Sequence, residues 1–203
     1  MKKYAVLHEP GDIVTLAGTR FVVLDVERRG SLPDSLFLLA LESVGASEFG
    51  SSNNYAESDL KKAVDKWLED MGKRGLDNAK LIPREIDLTT LDGSGCYGKL
   101  SVKAAPLTLD EAREYADIIP NAERWCWLAT GWSGPSKSDG DGALFVGSDG
   151  DWCNGGCSGS YGIRPALKIP SDLLLDSADK PDLSEVPTDT LLEEIRRRVV
   201  DKA

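Results

Sequence analysis

With 24 Lys and Arg against 34 Asp and Glu, the 203-residue chain carries a net charge of −10. A field of that sign repels phosphate backbones, so no nucleic-acid partner is expected. At 41% apolar residues the chain can build the core of one large domain, and no apolar run approaches the roughly 20 residues of a membrane span.

Met1 to Pro10 has no long apolar stretch and is not read as a secretory signal. Cytoplasmic synthesis is expected, which holds equally for a component assembled into a phage particle. Cys96, Cys126, Cys153 and Cys157 are then expected as free thiols. A zinc site is not expected, because the tight pair is spaced C-x3-C and the sole histidine, His8, lies far off. No cofactor is called for.

Ile13–Leu16 and Thr19–Leu24 read as a hairpin turned by Ala17-Gly18. Leu36–Leu41 is a third strand, and its unbroken apolarity predicts burial on both faces. Glu48–Asn54 is a polar loop. Leu60, Ala63, Val64, Trp67, Leu68 and Met71 make a single helical stripe, with Ser58 as N-cap and Gly72 as stop. Leu81-Ile82-Pro83 and Ile86-Asp87-Leu88 give short elements. Thr108 and Glu111 form a capping box for a second helix, with Ala112, Tyr115, Ala116 and Ile119 inward and Pro120 at its end.

Trp125–Thr130 reads as a strand. Because strand neighbours face opposite ways, at most one of Trp125 and Trp127 is expected inward. Residues 131–162 hold ten Gly, six Ser, four Asp and one Asn. This stretch is punctuated by Trp132, Trp152, Tyr161 and a strand-like Ala143–Gly147, so it is read as ordered rather than as a linker. Gly162–Ile169 reads as a closing strand. A polar linker from Ser171 to Pro187 leads to a last helix, capped at Thr190. Arg196-Arg197-Arg198 forms the basic part of that helix. Its Leu191, Leu192, Ile195 and Val199 stripe needs a partner, either the parent domain or a second copy in a homo-oligomer. The domain is placed at 1–170 and the linker and tail helix at 171–203.

Catalytic readings find little support. Asp139, Asp141, Asp149 and Asp151 sit on Gly-rich turns, where aspartate commonly stabilises the turn. Asp149-x-Asp151-x-x-Asn154 offers calcium three ligands, but no Glu closes an EF-hand loop. A Ser/His/Asp triad would have to use His8, and no phosphate-binding glycine pattern opens a helix. Trp, Tyr, Ser, Gly and Asn together suit recognition. The expected binding surface is built by residues 125–162, with Trp127, Trp132, Asp139, Asp141, Asp149, Asp151, Trp152, Asn154 and Tyr161 as its contact set and a protein or glycan as ligand, in a chain that is not an enzyme. Trp132 and Trp152 are expected at least partly exposed. Asp141, Asp151, Asn154 and Tyr161 are expected exposed and on one face with one of these two tryptophans.

Trp125-Cys126-Trp127-Leu128-Ala129-Thr130 and Gly162-Ile163-Arg164-Pro165-Ala166-Leu167 resemble motifs of an uncharacterised domain family of phages and Gram-positive gut bacteria. The resemblance spans about residues 10–170 and, more broadly, reaches the C-type-lectin-like fold shared with formylglycine-generating enzymes. It implies an α+β fold with two helices, an antiparallel sheet and a long irregular Gly-rich hairpin region that displays ligand-binding residues. It also implies receptor-binding phage proteins, some diversified by retroelements at adenine-rich codons. The Glu-Pro-Asn motif of calcium-dependent lectins is missing. Cys153 and Cys157 lie where the enzymes carry a copper-binding pair, but their surroundings do not match, which leaves a cysteine oxidase as an alternative and a structural phage protein as another. Arg164 is expected to tie the last strand to the core.

Overall fold

The computed structural model describes residues 2–4, 8–29, 32–136 and 140–176. They form a mixed α+β fold, dominated by sheet and carrying two α-helices. The tail helix and its proposed partner lie outside the described residues, as does Asp139.

The larger sheet is built on a meander. Strands β2 (Ile13–Leu16) and β3 (Thr19–Arg29) are joined by Ala17 and Gly18, both at positive φ (48° and 75°), as a tight hairpin turn requires. Next to β3 runs β4 (Leu32–Ala40), followed by β13 (Ala166–Pro170) and β8 (Ala104–Ala105). On the other side, β14 (Leu174–Asp176) pairs with β2 and with β1 (Lys2–Tyr4). The sheet thus takes in residues past the expected boundary at 170.

The predicted burial of β4 on both faces is seen. Leu36, Leu38 and Ala40 enter one apolar cluster with Phe21 and Val23, while Phe37 and Leu39 enter a second with Val22 and Leu24. Helix α1 (Asp59–Lys73) covers the first face with Leu60, Val64, Trp67 and Met71. Ser58 caps it, accepting from the Lys61 N–H. It does not stop at Gly72. The chain turns at Gly75 (φ 102°), where the Gly75 and Leu76 N–H groups donate to the Gly72 and Met71 carbonyls in a Schellman ending.

Helix α2 (Leu109–Glu114) covers the second face through Leu109 and Ala112, and its Thr108/Glu111 capping box is present. It is shorter than expected. Tyr115 leaves helical geometry, three-residue turns follow, and Ala116 ends up exposed rather than inward.

The second sheet has the order β11 (Trp152–Gly156), β10 (Gly142–Val146), β9 (Cys126–Gly131), β12 (Ser160–Gly162), β5 (Ala46–Glu48). A two-stranded pair, β6 (Arg84–Asp87) and β7 (Lys99–Val102), stands apart. The expected single strand over 162–169 is therefore two strands in two sheets. The chain crosses between them at Ile163-Arg164-Pro165, where Pro165 has no N–H for a ladder. Arg164 is buried in this crossing, and its Nε donates to the Ala40 carbonyl at 3.0 Å and its guanidinium to the Pro120 carbonyl at 3.1 Å. It ties the last strand of the motif to the core as expected.

Candidate recognition cleft

Strand β9 is buried along its whole length. Trp127 and Ala129 enter the α1-side core and Leu128 the α2-side core. Trp127 is only 1% exposed. Its ring meets Phe49, Phe145 and Tyr161, with centroids at 5.4, 6.0 and 4.5 Å, and its indole N–H donates to the Ser47 carbonyl at 2.9 Å. This corrects its expected place on the contact surface. A buried indole needs an acceptor for its N–H, and β5 supplies one.

Trp125 does face solvent, being 50% exposed. One ring is outside and one inside, as expected, but alternation is not the cause, since residues two apart share a strand face. Trp125 and Trp127 indeed contact the same two rings. What exposes Trp125 is its position just before β9. One face of its indole stacks on Phe145 at 5.2 Å and 13°, and Tyr161 meets it edge-on at 5.7 Å. The expected contact set omits Trp125, since the expected strand already includes it and only the observed start of β9 at Cys126 sets it outside.

Trp125 and Tyr161 line a cleft of about 460 Å³ with Glu123, Arg124, Ser148, Ser160 and Gly162. Gly162 lets β12 approach. A Cβ there would come within 2.8 Å of both Cys126 Sγ and Ser43 Oγ. Burial pushes the Cys126 thiol up to about 11. The cleft sets two aromatic rings beside a carboxylate, a guanidinium and hydroxyls, a more polar lining than that of the mostly apolar pockets that enclose small molecules.

The other expected contact residues do not gather here. Asp149 and Asp151 are exposed in the β10–β11 turn, where an Asp149 carboxylate oxygen accepts from the Asp151 N–H at 3.1 Å, a turn-stabilising role. Asp141, also exposed, lies at the far end of that hairpin, its carbonyl accepting from the Cys157 N–H. Trp152 (39% exposed) and the exposed Asn154 pair with Val146 and Leu144, on the α2-side face. The Arg113 guanidinium sits 5.4 Å over the Trp152 ring. Half-buried Tyr161 lies on the opposite, α1-side face, and half-buried Trp132 packs against the α2-side core. The expected set is thus split between two sheet faces and two hairpin ends. The partial exposure expected of Trp132 and Trp152 is observed.

A buried node holds these loops. Asn53 donates to the Ser133 and Gly142 carbonyls at 2.8 and 2.9 Å and accepts from the Tyr97 hydroxyl at 2.5 Å. Nothing in the polar stretch 48–54 marks Asn53 for this role. All four cysteines are unpaired. Cys153 is exposed, whereas Cys157 is buried and its thiol is pushed up to about 12 by burial, with a further push from Asp141. Among the described residues no group of three or more His, Cys, Asp or Glu could hold a metal, and no helix is long and apolar enough to cross a membrane.

Comparison with known proteins adds no relative. No family model matches the chain, and no curated protein and no solved structure matches it.

Proposed function

We propose that this chain is a ligand-recognition domain of C-type-lectin-like architecture, which holds a protein or glycan ligand in the cleft walled by Trp125 and Tyr161. The observation that carries the proposal is the half-exposed Trp125 ring, held by stacking on Phe145 and by the edge-on Tyr161. A rigid indole held in this way gives large contact area without freezing further torsions on binding. Arg124, Glu123, Ser148 and Ser160 supply donors and acceptors around it. The motif at Trp125–Thr130 lends the receptor-binding phage role of the resembled family, with this cleft as its contact surface.

Arrayed glycans and purified bacterial surface proteins, probed with wild type, Trp125→Ala and Trp132→Ala, test the proposal. Ligands captured by wild type should be lost with Trp125→Ala and kept with Trp132→Ala. Ligands held equally by wild type and Trp125→Ala would refute it.

A further inference from the structure

Strand β11 forms the outer edge of its sheet among the described residues. Its backbone pattern can be worked out. The Gly147 N–H donates to the Asp151 carbonyl, and the Cys157 N–H to the Asp141 carbonyl, both at 2.7 Å. Residues opposite one another in an antiparallel pair alternate between bonded and non-bonded. The bonded positions are therefore Asp151, Cys153, Gly155 and Cys157. Trp152, Asn154 and Gly156 turn their N–H groups, and Trp152 and Asn154 their carbonyls, outward. The Gly156 carbonyl is taken by the Gly159 N–H.

Exposed edges usually carry a blunting device such as Lys, Pro or a bulge. Trp152-Cys153-Asn154-Gly155-Gly156 has neither Lys nor Pro, and its register with β10 runs unbroken over five pairs. The two flanks of the edge offer different surfaces. On one, Trp152 presents an indole steadied by Arg113, which itself pairs with Asp110. On the other, Gly155 leaves no room even for a Cβ, which would lie 2.9 Å from the Tyr161 hydroxyl and 3.1 Å from the Phe145 ring, so the half-buried Tyr161 ring already packs against the strand on this flank. Asp149 and Asp151 are exposed at one end of the edge and Asp141 at the other.

We propose that β11 is a strand-addition site for an extended, basic segment of another protein. Main-chain groups of Trp152 and Asn154 would pair with the incoming strand. Its alternate side chains would meet the Trp152 indole on one flank and the Tyr161 ring on the other, and its Lys or Arg residues would meet the aspartates. A second copy of this chain is disfavoured, because β11-to-β11 pairing brings those aspartates together in a protein of charge −10.

A displayed library of random octapeptides, selected on the full chain, tests this. The expected winners alternate β-branched residues with Lys or Arg, and they slow hydrogen exchange at the Trp152 and Asn154 amides. Asn154→Pro removes an outward N–H and is tolerated on an edge strand. It should weaken the winners about tenfold or more, since it costs a hydrogen bond and blocks close approach. Asp141→Lys with Asp151→Lys alters only exposed side chains and should abolish the basic preference even if the proline variant folds poorly. Failure to enrich peptides, winners indifferent to both variants, or protection of these amides that rises with protein concentration alone would each overturn the proposal. The last result would mark a self-association edge.

Discussion

Replacing Trp127 with Ala separates the core role of this residue from the surface role of Trp125. A core Trp-to-Ala change costs ~3–5 kcal/mol, and stranding the Ser47 carbonyl adds about 1 kcal/mol, so about 4 kcal/mol is a lower expectation. For chains of this size each kcal/mol moves the melting temperature by about 2–4 °C, giving a fall of about 8–16 °C. Trp125 buries only half its ring, roughly 100 Å² of the area a tryptophan can hide. At ~25 cal/mol per Å² its loss costs at most about 2.5 kcal/mol. Trp127→Phe keeps most ring contacts and should fall between wild type and Trp127→Ala. Calorimetric melting of the three variants is the assay. A Trp127→Ala shift below about 4 °C, or a Trp125→Ala shift equal to or larger than it, would refute the assignment of core and surface rings.

Two further outcomes concern the thiols. Under native conditions a colorimetric disulfide reagent should titrate only Cys96 and Cys153, with Cys126 and Cys157 reacting once guanidinium unfolds the chain; four fast thiols in the native protein would contradict the burial. Stability should also fall in alkali, because a thiol raised on folding contributes stability that is full below its unfolded pKa and is lost as pH rises through the folded value. For Cys157 that window runs from the ordinary value of 9.0 up to about 12. Melting temperature should therefore drop more steeply across it in wild type than in Cys157→Ala, and parallel curves would count against the buried thiol.

The residues themselves determined whatever depends on neighbours a few positions away. The α1 stripe with its Ser58 cap, the Ala17-Gly18 turn and the Thr108 capping box are each closed by contacts within a turn or two, and periodicity reports them directly. Burial of the Leu36–Ala40 part of β4 on both faces was legible too, since a run without polar positions has no face to give to water. The cleft was legible only in part. The aromatic and polar residue types were evident, but which ring is open depends on partners far along the chain. Trp127 is closed by the Ser47 carbonyl, 80 positions away, and Asn53 holds carbonyls 80 and 89 positions away. The split of residues 162–169 between two sheets likewise follows from the strands they meet, Cys126 on one side and Leu36–Leu39 on the other. Strand pairing is non-local, and a period of two states only which side chains share a face, not what covers it. Tertiary structure alone therefore decided that Trp125 opens on the cleft, that Trp127 does not, and that β11 is left at an edge.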